Sequence, residues 1–292
     1  MALKHWLLAT RIKTLPAGMS PVLIGLAGAQ SIGFYDNFLA MITLLCAVLI
    51  QIGTNFANDY YDFKKGADTD KRLGPTRMLQ AGHIKPAHMK LATAITFALA
   101  FCLGLILVAK AGIVILIIGL VSILCGYLYT AGPYALAYIG LGDLFVLIFF
   151  GPVAVMGTYY IQTNTVSLES FISGLGVGLL STAILVVNNV RDYEEDTSNN
   201  KKTLVVRFGI TFGKIQYCVC IFGAIATLIY LTWISTQALV MLIIFIALCS
   251  NQIQTLLFKT GPILNNCLAR TGGLVTYFTL IYCIEKFMAH SS

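Results

Sequence analysis

Of the twelve carboxylates in the 292 residues, eight fall in two short segments. The first reads Asn58-Asp59-Tyr60-Tyr61-Asp62 and continues to Asp68 and Asp70. The second reads Asn188-Asn189-Val190-Arg191-Asp192-Tyr193-Glu194-Glu195-Asp196. Bases follow each: Lys64, Lys65, Lys71, Arg72 and Arg77 after the first, Lys201, Lys202 and Arg207 after the second. On a helix, residues three or four apart share a face, which pairs Asp59 with Asp62 and Asp192 with Asp196. Several carboxylates at a helix C-terminus meet about half a negative charge and repel one another. A divalent cation relieves that repulsion, and carboxylate and amide oxygens suit Mg2+ or Ca2+ rather than Zn2+. Mg2+ is typically held by one or two carboxylates plus substrate phosphates, and the neighbouring Lys and Arg would complete a polyphosphate site.

The elements that must position these groups are apolar. The chain is 58% hydrophobic and 11% charged, against about 25% charged in a soluble domain. This excludes a soluble enzyme, a disulfide-stapled secreted domain and a disordered chain. Long apolar runs, without strict alternation, also exclude a porin-like barrel. The net charge of +7 invites no nucleic-acid partner, because the bases are confined to short segments between apolar runs. A window of about 20 residues predicts nine spans: 15–34, 38–57, 89–108, 113–129, 141–161, 171–187, 217–233, 239–257 and 271–288. With the N-terminus inside, every Lys and Arg except Lys110 and Lys286 falls on the cytoplasmic side, as the positive-inside rule requires. Basic residues Lys4, Arg11 and Lys13 precede an apolar stretch as in a signal peptide. That stretch is long enough to span, and no small-residue cleavage site follows, so a retained first helix is expected. The expectation is an all-α membrane protein, nine transmembrane helices in one bundle with a central cavity near the cytoplasmic face. The eight cysteines form no Cys-x-x-Cys pair and read as small buried hydrophobes.

Each acidic segment runs back into its apolar helix as a polar stripe, through Gln51 and Asn55 in one and Asn188 in the other. An Asp at a helix centre costs roughly 2.5–3.5 kcal/mol against insertion, so such stripes face a water-filled cavity. Acids beside bases also suit a plain solvated surface, but two copies, each continuous with amides in its helix, favour the cavity. A diphosphate delivered within a membrane points to an isoprenoid diphosphate whose tail stays among the helices. The chemistry then available is ionisation, with the leaving diphosphate neutralised and an allylic carbocation captured by an electron-rich partner.

At these segments the chain resembles the UbiA-type intramembrane prenyltransferases, most closely the branch acting on 1,4-dihydroxy-2-naphthoate in menaquinone synthesis. The resemblance rests on Arg11-Ile12-Lys13-Thr14-Leu15-Pro16, Asn58-Asp59-x-x-Asp62, Arg72-Leu73-Gly74-Pro75-Thr76-Arg77 and Asn188-Asn189-x-Arg191-Asp192-x-x-x-Asp196. Gly157-Thr158-Tyr159-Tyr160 and Lys202-Thr203-Leu204-Val205-Val206-Arg207-Phe208-Gly209 add to it. It implies one domain over 1–292 in two pseudo-repeated halves, about 1–140 and 141–292. It implies Mg2+ on the catalytic acids Asp59, Asp62, Asp192 and Asp196, with Asp68 a further candidate ligand. Asn55, Asn58 and Asn188 would support that site, and Arg11, Arg77, Lys202 and Arg207 would contact the diphosphate. The implied reaction joins a polyprenyl chain to the naphthoate with loss of diphosphate and CO2, giving demethylmenaquinone, at the inner face of a bacterial membrane. Two positions depart from the wider superfamily: Gly66 stands where a third acid is usual, and Tyr129-Thr130-Ala131-Gly132-Pro133-Tyr134 replaces a Tyr-Pro-x-x-Lys-Arg loop.

Asp143 opens the fifth span, where an acid stabilises a helix start or acts on the acceptor. His83 and His88 read as surface residues, and Trp6 and Trp233 as interfacial anchors. No protein partner is inferable. Two alternatives remain: another aromatic acceptor, such as 4-hydroxybenzoate or homogentisate, and a cation-coupled transporter. The second predicts ionisable residues near mid-bilayer, whereas the acids here gather at one face.

Overall fold

The computed structural model of the protein describes residues 3–67, 73–232 and 236–291, which form helices and their connections. Asp68, Asp70, Arg72 and Trp233 lie outside the described residues. In chain order the helices are α1 (Leu3–Ala9), α2 (Leu15–Gln30), α3 (Asn37–Lys64), α4 (Pro86–Ala111), α5 (Ile113–Leu128), α6 (Gly142–Phe149), α7 (Pro152–Thr163), α8 (Leu168–Arg191), α9 (Tyr193–Ser198), α10 (Leu204–Phe208), α11 (Ile210–Leu231), α12 (Thr236–Phe258) and α13 (Leu264–Ser291).

Among the described residues, seven helices are long and apolar enough to cross a membrane, against the nine expected. The stretches expected at 15–34 and 113–129 are α2 and α5, of 16 residues each. At 1.5 Å per residue each is about 24 Å long, short of a hydrocarbon core of about 30 Å. The expected 141–161 span is broken into α6 and α7 at Phe150-Gly151-Pro152. Proline has no N–H and clashes with the carbonyl four residues earlier, and Gly151 sits with its Cα against Gly178 of α8. A Cβ added at Gly178 would lie 2.5 Å from the Leu147 carbonyl and 2.9 Å from Gly151 Cα. Glycine is what lets the broken helix touch its neighbour, as small residues do between membrane helices.

The two helices that carry the acidic segments begin with side-chain caps. Asp36 Oδ1 accepts from the Phe38 and Leu39 amides at 2.9 and 3.0 Å to open α3, and Ser167 and Ser170 form a reciprocal capping box at the start of α8. Helix α8 is the axis of the bundle. Its Val177, Leu180, Ala183, Val186 and Val187 are fully buried, with α6, α7, α11, α13 and α2 packed around it. The outer surface is apolar too. Leu91, Ile95 and Leu99 on α4 and Ile117, Leu120 and Leu124 on α5 are exposed at helical spacing, the arrangement hydrocarbon requires. Seven apolar spans with outward stripes make this an integral, multi-pass membrane protein. Trp6 packs edge-on against Phe56. His83 is exposed and stacks on His5, and His88 is exposed. Four of the cysteines, Cys46, Cys220, Cys249 and Cys267, are buried.

Candidate active site

Helix α3 does not stop at its first acid. Its hydrogen bonding runs on to Lys64, so Gln51, Asn55, Asn58, Asp59 and Asp62 form one continuous face. All five line a cavity of about 420 Å3. Opposite them α8 ends at Arg191, Asp192 caps it, and α9 begins at Tyr193. An Asp196 amide to Asp192 carbonyl bond of 2.8 Å spans the junction, and Asn188, Asp192 and Asp196 line the same cavity. The two acidic segments, 130 residues apart in sequence, therefore share one wall-to-wall space.

Three of the acids carry a resident cation. Asp62 Oδ2 lies 3.2 Å from Arg77 Nη2, and Asp62 Oδ1 accepts the Tyr138 hydroxyl at 2.9 Å. Both oxygens of Asp192 are held by Arg191 at 2.7 Å, one by Nε and one by Nη2. Asp196 Oδ1 is 3.0 Å from Lys201 Nζ. Asp59 Oδ2 accepts the Met78 amide at 3.2 Å. Asp59 Oδ1 and Asp196 Oδ2 are buried with no hydrogen-bond partner among the described residues. Buried acceptors are normally satisfied, so these two oxygens are the acceptors that a cation could take up. Among the described residues no group of three or more His, Cys, Asp or Glu side chains is placed to hold a metal by itself. A site of one or two carboxylates completed by phosphate oxygens and water is the Mg2+ habit, and the donor set fits it.

Burial holds the Asp196 carboxyl above the usual carboxylate range, with Lys201 pulling the other way. Burial alone would lower Lys201; the Asp196 and Asp62 carboxylates outweigh it and keep the ammonium charged. Burial, then Asp143, Asp62 and Asp196, raise the Tyr129 hydroxyl, so it stays a donor.

The amides and arginines brace the rims. Asn58 Oδ1 accepts from Thr130 Oγ1 at 2.9 Å, and Asn55 Nδ2 donates to the Thr10 carbonyl at 3.0 Å. That ties α3 to the turn where Arg11, lining the cavity, adopts a left-handed φ of 53°, a conformation costly outside glycine. Asn188 Oδ1 accepts from Arg191 Nη2 at 2.7 Å. Arg191 Nη1 also reaches Asn265 Oδ1 at 2.8 Å, and Asn265 Nδ2 donates to the Leu73 carbonyl at 2.9 Å. Asn199 Nδ2 donates to the Ala67 carbonyl at 3.0 Å, a second stitch between the segments.

Lys202 and Arg207 are exposed and are not part of the cavity wall. The Lys202 amide donates to the Tyr138 carbonyl at 3.0 Å, while Arg207 donates to the Lys202 and Ile139 carbonyls at 3.1 and 2.9 Å. Gly140, with φ +78°, makes room for them: a Cβ there would stand 2.9 Å from the Lys202 oxygen and 3.0 Å from Arg207 Nε. Of the bases after the second acidic segment, the one that lines the cavity is Lys201, alongside Arg11 and Arg77 from the first half. Lys201 stands in the sequence among the bases that follow the second acidic segment, although the resemblance singles out Lys202 and Arg207; Tyr138 and Tyr129 carry no sequence signal as site residues. A second, apolar pocket of about 150 Å3 shares Ala47, Ile50, Ser122, Phe149 and Ala154 with the first.

Residues 18–260 match the UbiA prenyltransferase family. The chain is 39% identical over 240 residues to the 1,4-dihydroxy-2-naphthoate octaprenyltransferase of Escherichia coli (strain K12), covering 80% of this chain and 78% of that protein. It is 36% identical over 254 residues to the enzyme of the same name from Haemophilus influenzae, covering 81% and 79%. The solved structure of a UbiA homolog from Archaeoglobus fulgidus bound to GPP and Mg2+ shares the fold, with a TM-score of 0.67 at 17% identity over 99% of this chain and 100% of that one. The chain belongs to the UbiA prenyltransferase family.

Proposed function

We propose that the protein transfers a polyprenyl group from a polyprenyl diphosphate to 1,4-dihydroxy-2-naphthoate, with release of diphosphate and CO2. The product of transfer is the hydroquinone form of demethylmenaquinone. The observation that carries this reading is the convergence of both acidic segments on one cavity that continues into an apolar pocket. The names of the relatives supply the acceptor, and the distribution of Lys and Arg supports a cytoplasmic mouth. Membership of a prenyltransferase family sets the transporter alternative aside.

Asp59 and Asp62 from one half and Asp192 and Asp196 from the other would hold Mg2+, which, when bound, neutralises charge on the departing diphosphate. Arg11, Arg77 and Lys201 supply further positive charge at the cavity wall. As the C–O bond to the diphosphate stretches, these cations meet the charge developing on oxygen. The allylic fragment lies toward Phe145, Val146 and Phe149, where apolar walls exclude the water that would consume it. The apolar pocket takes the start of the tail.

Membranes containing the protein, given labelled polyprenyl diphosphate and each aromatic acceptor in turn, test the reading. Prenylated naphthoate with CO2 release is the expected result. Product from 4-hydroxybenzoate or homogentisate alone would end it.

A further inference from the structure

Asp143 is a cavity acid that the diphosphate site does not use. It is the second residue of α6, 4% exposed, and lines the cavity. Asp62, Asp192 and Asp196 each have a cation within 3.2 Å; among the described residues Asp143 has no such ion pair. Its Oδ1 accepts from Gln216 Nε2 of α11 at 3.1 Å. An acid at a helix start complements the dipole whether exposed or buried, so the dipole does not explain why this one is buried in a cavity. A cavity-lining carboxyl with one side-chain hydrogen bond and no close ion pair among the described residues keeps acceptor capacity free to exchange a proton with a ligand.

Its surroundings suit an aromatic diol. Phe145, Val146 and Phe149, on the next turns of α6, form an apolar wall of the cavity. The Tyr129 hydroxyl lies beside Gly142, where an added Cβ would stand 3.2 Å from it.

On the reading that the substrate is a hydroxylated aromatic, we infer that Asp143 takes the proton from the acceptor's ring hydroxyl and that Gln216 is the positioning residue that aims it. As the ring carbon bonds to the allylic carbon and the C–O bond to diphosphate breaks, the electron pair comes from the hydroxyl oxygen. The O–H proton passes to the Asp143 carboxylate and the ring becomes a ketone. Where the attacked carbon bears the carboxylate, that group is then β to the new carbonyl. It leaves as CO2, and the resulting enolate takes the proton back from Asp143. No oxidant and no net proton are needed.

The test uses full-length protein in membranes or detergent. Asp143→Asn should lower kcat for prenylation of 1,4-dihydroxy-2-naphthoate by about 100-fold or more. Mg2+-dependent binding of an unreactive geranyl thiodiphosphate should stay unchanged, which also reports that the variant is folded. Asp143→Ala should behave alike and regain turnover as formate is added, a rescue that a merely structural carboxylate would not show. Gln216→Leu should lower kcat by about tenfold with the same donor affinity. Asp143→Asn within about threefold of an active wild type, or Asp143→Ala that binds donor and ignores formate, overturns the assignment. A wild type that prenylates no hydroxylated aromatic overturns the functional reading with it, so the two failures are distinct.

Discussion

Arg191 and Asp192, adjacent in sequence, clasp one another through two parallel contacts of 2.7 Å at the junction of α8 and α9. The same guanidinium reaches Asn188 and Asn265, so one side chain neutralises a buried carboxylate and pins the start of α13 to the end of α8. Bidentate pairing of this kind is specific to arginine.

Removing that guanidinium strands Asp192, which is 4% exposed. Arg191→Ala should destabilise the ligand-free protein by about 3 kcal/mol or more. Mg2+ with a diphosphate analogue should recover part of the loss, because it supplies the missing positive charge. Thermal melts with and without both ligands check this; an unchanged melting temperature contradicts it.

Asp59 has one oxygen on the Met78 amide and one with no hydrogen-bond partner among the described residues. Asp59→Asn keeps the volume and removes the charge. Turnover should fall by about 1,000-fold or more, while the melting temperature stays within a few degrees. Full activity in this variant would remove Asp59 from the site.

Lys201 and Lys202 differ by one position and by everything that matters here. Lys201 faces Asp196 within the cavity wall, and Lys202 points out. Lys201→Ala should raise KM for the prenyl donor by about tenfold with little change for the acceptor. Lys202→Ala should leave both within about twofold. Steady-state kinetics with the two substrates varied separately decides, and the reverse pattern would return Lys202 to the diphosphate.

The raised Asp196 carboxyl carries a pH dependence. A higher pKa means that the proton is retained to higher pH, and a protonated carboxyl does not bind metal. Apparent Mg2+ affinity should therefore still strengthen as pH rises above the usual carboxylate range, and Asp196→Asn should flatten the curve. Mg2+ titrations of donor-analogue binding at a series of pH values measure it. Affinity that is equally steep in the variant assigns the proton elsewhere.

What was legible in the sequence was periodic or local. The pairing of Asp59 with Asp62 and the stripe through Asn55 and Gln51 follow from helical spacing, and all line the cavity. A hydropathy window ends α3 at residue 57 because the acids lower its average, yet backbone bonding continues to Lys64, since a helix is indifferent to which face is polar. The break at Pro152 was hidden for the opposite reason, as the residues on both sides are apolar. Tyr138 enters the site through its carbonyl, which meets the Lys202 amide, and its hydroxyl, which meets Asp62. No local pattern encodes a contact 64 or 76 residues away, and the same meeting turns Lys202 outward and Lys201 in.

The outward rows at Leu91, Ile95 and Leu99 and at Ile117, Leu120 and Leu124 face away from the protein, the side on which a multi-pass protein meets acyl chains. Such positions tolerate exchange among aliphatic side chains, because one hydrocarbon replaces another against a fluid neighbour. Mutational tolerance is thus inside out compared with a water-soluble catalyst: the periphery drifts freely in greasy letters, and the polar interior is where a single atom counts.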